Sequence, residues 1–154
     1  EEYLRSKKNL KFVICRFGTI YGWSIGMRFH TAVNHFIWQA YCKESLTVWR
    51  TALVQKRPYL YLGDAVSVID HIIENDIFDR QIYNVLTGNH TVRDLLDEIE
   101  KYTHPVVEYV ESPIMNQLSY EVDDAKIRKT GFRSSGDLVS GIKETFNHLW
   151  RPPV

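Results

Sequence analysis

Apolar and polar positions along this chain follow two periods, and the switches between them predict its elements. The run Phe12-Val13-Ile14-Cys15 is continuously apolar, the pattern of a strand covered on both faces in a parallel sheet, and it leads into Arg16-Phe17-Gly18. Gly22 and Gly26 mark a loop. From Thr31 to Cys42, the residues Val33, Phe36, Ile37, Ala40 and Tyr41 recur at helical spacing, which predicts an amphipathic helix. Leu46 to Trp49 reads as a short strand and Arg57 to Leu62 as another, with Pro58 confined to its first position or to an edge. Asp64 is placed to cap the next helix, whose buried stripe would be Ala65, Val66, Ile69, Ile72 and Ile73.

Ile82 to Val85 is a short buried strand. Thr91 followed by Asp94 three residues on resembles a capping box, and Val92, Leu95, Leu96 and Ile99 come after it at helical spacing. Val106 to Val110 reads as a strand, and Asp123 to Lys129 as a short helix ended by Gly131. A last helix carries Leu138, Ile142, Thr145, Phe146 and Leu149, with Trp150 also in its core and Pro152 and Pro153 closing it. Strand and helix alternate throughout, so the fold class is α/β. The three best strands, at 12–16, 57–62 and 82–85, are too few for a complete doubly wound sheet and suit a truncated one. With no repeat, low-complexity tract or linker, residues 1–154 read as a single unit. Glu1 to Lys8 looks like the charged tail of a helix whose body lies upstream. The chain does not start with Met, and it is expected to be the C-terminal part of a longer protein.

Composition narrows the function classes. The 154 residues include 19 Lys+Arg and 19 Asp+Glu, a formal net charge of zero that argues against a nucleic-acid footprint. Hydrophobic residues at 44% and charged residues at 25% are those of an ordinary globular protein. No apolar run approaches the roughly 18 residues of a membrane span, and the start does not read as a signal peptide. Cys15 and Cys42 show no metal or redox spacing, read as buried thiols and fit a reducing, cytoplasmic setting. His30, His35, His71, His90, His104 and His148 show no metal-ligand spacing, so no metal is expected. Asp123-Asp124 with Lys126 reads as a helix start rather than an acid–base pair.

The segment Arg16-Phe17-Gly18-Thr19-Ile20-Tyr21-Gly22 is the most informative, because a buried strand runs directly into a glycine turn. Ligands of open parallel sheets sit at the carboxyl ends of strands, although spacing alone also suits an ordinary strand exit. Together with the segments C-terminal to it, this stretch resembles the extended short-chain dehydrogenase/reductase superfamily, specifically the NAD-dependent nucleotide-sugar epimerases and dehydratases. Arg16, Tyr21 and Gly22 match that family's Arg-x-x-Asn-x-Tyr-Gly pattern, with Thr19 in place of Asn. Ala32 to Ala40 is similar to the family's substrate-domain helix, and Leu46 to Trp49 to the strand beside the nucleotide base. Arg57 to Ala65 is similar to its Arg-x-hydrophobic-x-hydrophobic-Val-x-Asp segment, and Tyr83-Asn84-Val85 to its Tyr-Asn-Val strand. Tyr120 to Ile127 with Gly131-Phe132 matches its closing signature. These matches keep the family's order over nearly the whole chain.

The resemblance implies the C-terminal part of a Rossmann-type NAD-binding fold plus a small α/β substrate-binding domain. In the whole protein it implies hydride transfer between a sugar hydroxyl and bound NAD. The family's glycine-rich NAD loop is not found here, so NAD is expected to be held mainly by a missing N-terminal half. Tyr3 and Lys7 have the spacing of the family's catalytic Tyr-x-x-x-Lys pair. Only about eight residues, roughly 12 Å of helix, separate Tyr3 from Phe12, too short for the family's helix and return turn, so no catalytic residue is assigned to this chain. By the same resemblance Arg57 would grip the diphosphate, with a surface salt bridge as the plain alternative. Asn34 or His35 would meet the phosphates or sugar, the match being ambiguous by one position; His35 alone equally suits a structural histidine. Trp49 would stack on the base or serve as core. Thr19 would border the sugar, and Tyr21 and Gly22 the cofactor. Expected partners are a nucleotide-sugar, the N-terminal half and, in a homodimer, a second copy. A non-catalytic nucleotide-sugar-binding module and a structural or interaction domain of the same fold are the alternatives.

Overall fold

The structure, a computed structural model, describes residues 1–111 and 119–150. A short helix α1 (Glu2–Ser6) leads to strands β1 (Phe12–Phe17) and β2 (Thr19–Tyr21), helix α2 (Ala32–Tyr41) and strand β3 (Leu46–Trp49). A 3-10 turn at Arg50–Ala52 brings the chain to β4 (Lys56–Tyr61), α3 (Leu62–Glu74), β5 (Asp79–Val85) and β6 (Gly88–Thr91). Helix α4 (Val92–Ile99), strand β7 (Val107–Val110) and helices α5 (Ala125–Arg128) and α6 (Leu138–Leu149) complete the described chain. The mixed α/β class is that of the sequence pattern. Periodicity misses β2 and β6 because each is short and β6, Gly-Asn-His-Thr, has no apolar alternation.

Among the described residues the strands form three small sheets. Strand β1 pairs with β5 in parallel, β3 pairs with β7 in parallel, and β4 lies between β2, parallel to it, and β6, antiparallel to it. Period-two alternation along β4 joins two cores. Leu60 faces a cluster with Ala65, Val68 and Ile72 of α3, Tyr83 and Val85 of β5, and Ile127 and Phe132. Tyr59 and Tyr61 face the opposite way, into a cluster where Val33, Phe36 and Ile37 of α2, Leu95 and Ile99 of α4, and Ile142 and Phe146 of α6 pack together. Pro58 sits inside β4, yet β2 pairs only from Tyr59 onward, so β4 is locally an edge where its missing N–H falls.

Four details differ from the sequence pattern. Asp64 is not the cap of α3: the helix begins at Leu62 after Tyr61, and Asp64 lies within the first turn, fully buried. The buried face of α3 is Asp64, Ala65, Val68 and Ile72, leaving Val66, Ile69 and Ile73 about half exposed. The two faces share one period, and packing selects between them. Cys15 is only half-buried and Cys42 is exposed, so neither is a core thiol. Trp150 is half exposed, although its ring stacks on Phe146 at 4.6 Å. Pro152 and Pro153 lie outside the described residues.

Candidate functional site

The site is built on one face of the β2–β4–β6 sheet. Register places Thr19 beside Tyr59 and Gly88 beyond it, so these three form one row across the sheet. The next row on that face pairs Arg57 directly with His90. Directly opposed residues of an antiparallel pair hold their Cβ atoms about 5 Å apart, so the two side chains share one patch of surface. The row on the other side is Tyr21 beside Tyr61.

Arg57 is held from several directions. Its Nη1 donates to the Lys56 carbonyl at 2.8 Å, its Nη2 to Gln55 Oε1 at 3.1 Å, and the guanidinium lies 5.0 Å from the Tyr120 ring. The segment that carries Tyr120 is anchored on β4: the Tyr120 amide donates to the Lys56 carbonyl, and the Lys56 amide to Ser119 Oγ. A fork fixed in this way is preorganised for a two-oxygen anion. Thr19, in the adjacent row beside Tyr59, is exposed.

Asn34 and His35, about 100° apart around α2, differ in burial, the first inside and the second at the surface. Asn34 is 3% exposed; its Oδ1 accepts the Gly22 amide and its Nδ2 donates to the Arg28 carbonyl, each at 3.2 Å. The carboxamide therefore closes the loop that follows β2 and supports the surface from behind. Gly22 takes a φ of 118°, open only to glycine without strain. His35 is exposed, and its Nδ1 donates to the Phe29 carbonyl at 2.9 Å. Trp49, 51% exposed, stands on the separate β3–β7 sheet, with Arg50 next to it over Tyr109.

Tyr21 and Gly22, the two positions expected at the cofactor, lie at the end of β2, where the Tyr21 side chain turns into the core. Tyr21 is 1% exposed, and its hydroxyl is buried with no hydrogen-bond partner among the described residues. Burial above all, with the charges of Asp64 and Asp137 adding to it, pushes this phenol well above the usual tyrosine range. The Gly22 amide is already committed to Asn34. At the N-terminus, α1 ends at Ser6, Tyr3 is exposed, and Lys7 Nζ lies over the Tyr3 ring at 4.7 Å. Among the described residues no cluster of His, Cys, Asp and Glu could hold a metal ion.

His90 joins the patch although nothing in its spacing from other histidines marks it. The available signal is Gly88, two positions earlier and thus on the same face of a strand. A second concavity, about 510 Å³, opens beyond β5 and is lined by Thr87, Asn89, Asp123, Asp124, Arg128 and Arg133 among others. Its Arg128 is paired with Asp123 and Asp124, and Arg133 donates to backbone carbonyls of Arg128 and Phe132.

The same arrangement of strands and helices occurs in solved nucleotide-sugar enzymes. UDP-glucose 4-epimerase of Thermus thermophilus, in complex with NAD, is 25% identical and superposes with a TM-score of 0.79, covering 96% of this chain and 49% of that one. UDP-glucuronic acid 4-epimerase of Bacillus cereus, in complex with UDP-glucuronic acid and NAD, gives 0.81 at 18% identity, covering 96% and 48%. UDP-N-acetylglucosamine 4-epimerase of Methanobrevibacter ruminantium M1 gives 0.78 at 18% identity, covering 95% and 48%. The chain thus spans about half the length of these proteins. The sequence model of the NAD dependent epimerase/dehydratase family matches residues 1–85, more than half of the chain and the stretch that holds Thr19, Asn34 and Arg57. With its α/β fold of parallel strands matching the Rossmann-type fold of the epimerases, the chain belongs to the NAD dependent epimerase/dehydratase family.

Proposed function

We propose that this chain is the nucleotide-sugar-binding portion of an NAD-dependent epimerase or dehydratase, whose hydride-transfer chemistry is completed by an N-terminal half. The observation that carries the reading is the placement of the preorganised Arg57 guanidinium in the same patch as the exposed Thr19. In this reading Arg57 grips the diphosphate and Thr19 borders the sugar. Asn34 acts from behind by fixing the Gly22 loop rather than by touching substrate. Trp49 and His35 lie further out, the former as a stacking surface for the base. The cofactor supplies hydride acceptance when bound, and the N-terminal half supplies its binding loop and the catalytic base.

The test is calorimetric titration of the full-length protein with UDP-glucose. The expected result for Arg57→Ala is an affinity at least about tenfold weaker, the scale of a charge-assisted bidentate contact. An unchanged dissociation constant in a folded variant removes the assignment.

A further inference from the structure

His90 occupies space that only a glycine leaves open. A Cβ built on Gly88 would lie 2.6 Å from His90 Nε2 and 3.2 Å from its Cε1, so the imidazole rests in the side-chain position of residue 88. Gly88 has no left-handed backbone to explain its identity; positive φ among the glycines is confined to Gly22 and Gly131. Glycine in a strand weakens it unless something approaches its backbone closely, and here the approaching group is the imidazole. Lying over Gly88, the ring also reaches the row of Tyr59 and Thr19, and it packs 6.3 Å from the Tyr59 ring.

No hydrogen bond joins either ring nitrogen to another described residue, although the ring is half-buried. The residue stands directly across from Arg57, and its ring nitrogens are not among the fully buried unpartnered polar atoms, so they are reachable from outside.

We propose that His90 is a second contact to the diphosphate of a nucleotide-sugar, its imidazole N–H donating to a phosphate oxygen beside the Arg57 guanidinium. The proposal rests on the reading of Arg57 given above. Burial holds the imidazole below its ordinary pKa, with Asp94 and Asp137 pulling the other way. Arg57 and Tyr59 on β4 face it too, and Lys56 acts on Asp94. At neutral pH the ring is therefore an uncharged donor. As pH falls it gains a proton, and a bound diphosphate favours that charged form.

The experiment is titration of the full-length protein with UDP-glucose, whose diphosphate stays fully ionised, at several values between about pH 5.5 and 8, the range in which a histidine switches. Wild type is expected to bind about three- to tenfold more tightly at the acid end. His90→Gln should weaken binding about fivefold or more at neutral pH and flatten that dependence. Gly88→Ala, which displaces the ring while keeping the histidine, should do the same in milder form. If His90→Gln keeps wild-type affinity while Arg57→Ala loses it, the inference falls and the reading of Arg57 stands; if neither variant changes binding, both fall. A His90→Gln variant that binds weakly with the wild-type pH dependence would make the residue structural and also overturn the proposal.

Discussion

Asp64 and Gly136 meet across 72 positions of sequence: the Asp64 carboxylate accepts the Gly136 amide through Oδ1 at 3.0 Å. The same oxygen accepts the Ser135 amide at 2.8 Å, and Oδ2 accepts the Thr87 hydroxyl at 2.5 Å. Thr87 in turn receives the Tyr61 amide at 2.8 Å. One fully buried carboxylate thus ties the first turn of α3, the turn between β5 and β6, and the approach to α6 into a single knot. A Cβ on Gly136 would run into the Tyr61 ring, so glycine is what lets this backbone come so close.

Removal of the carboxylate should therefore be among the most damaging single changes in the chain. Asp64→Ala leaves two part-buried amides and a hydroxyl without their acceptor, at about 1–1.5 kcal/mol each, the low end for such groups, so a loss of about 3–5 kcal/mol is expected. Against a domain stability of about 5–15 kcal/mol this comes close to unfolding. Asp64→Asn keeps one acceptor and should fall in between. Urea denaturation decides it, and a cost for Asp64→Ala below about 1 kcal/mol would show that the knot carries little.

The contrast with Thr91 shows what the sequence can and cannot convey. Its capping box with Asp94 is legible because both partners lie within one helical turn, and both bonds form, at 3.2 and 2.7 Å. Asp64 in Gly-Asp-Ala carries the same local signature of a cap, but its partners lie 23 and more positions away and draw it inward. Val66, Ile69 and Ile73 have the same period as the buried Ala65, Val68 and Ile72, so only packing against β4 and β5 separates the two faces. Of the residues proposed to meet a nucleotide-sugar, Arg57 and Thr19 are legible through their motif positions. His90 is not, since its meaning comes from pairing across β6, a strand with no apolar alternation.

Alkaline stability should be set by tyrosines. Burial pushes Tyr59 up to about 12; the hydrogen bond to Glu144 does the same for Tyr61, and burial followed by the hydrogen bond to Asp79 for Tyr83. Each folded value exceeds the ordinary value near 10, so the fold favours the neutral phenol. Their contribution is complete below about pH 10 and is lost as pH climbs through about 12. The melting temperature should hold up to about pH 9 and then fall. Comparing phenolate titrations of wild type, Tyr59→Phe and Tyr83→Phe assigns the signal. Ionisation of either tyrosine below about pH 10 with tertiary circular dichroism intact would contradict this.

Acid stability should respond to Asp137, which caps α6. Its Oδ1 accepts the Ser140 amide at 2.7 Å and the Ser140 hydroxyl at 2.9 Å. These bonds, the backbone one foremost, hold the carboxyl below its ordinary value of 3.8. A depressed carboxylate contributes stability that is present above the unfolded value and lost as pH falls through the folded one. Asp137→Ala should cost about 1 kcal/mol at neutral pH, the usual scale of an N-cap, while Asp137→Asn should cost less because an amide oxygen still caps. The gap between wild type and Asp137→Asn should begin to narrow near pH 4, where the unfolded carboxyl takes up its proton, and close as pH falls through the lower folded value. Asp137 also raises the proton affinity of His90. Its neutralisation should therefore shift the pH dependence of UDP-glucose binding toward lower pH without abolishing it. A shift in the opposite direction would mean that His90 does not sense this carboxylate.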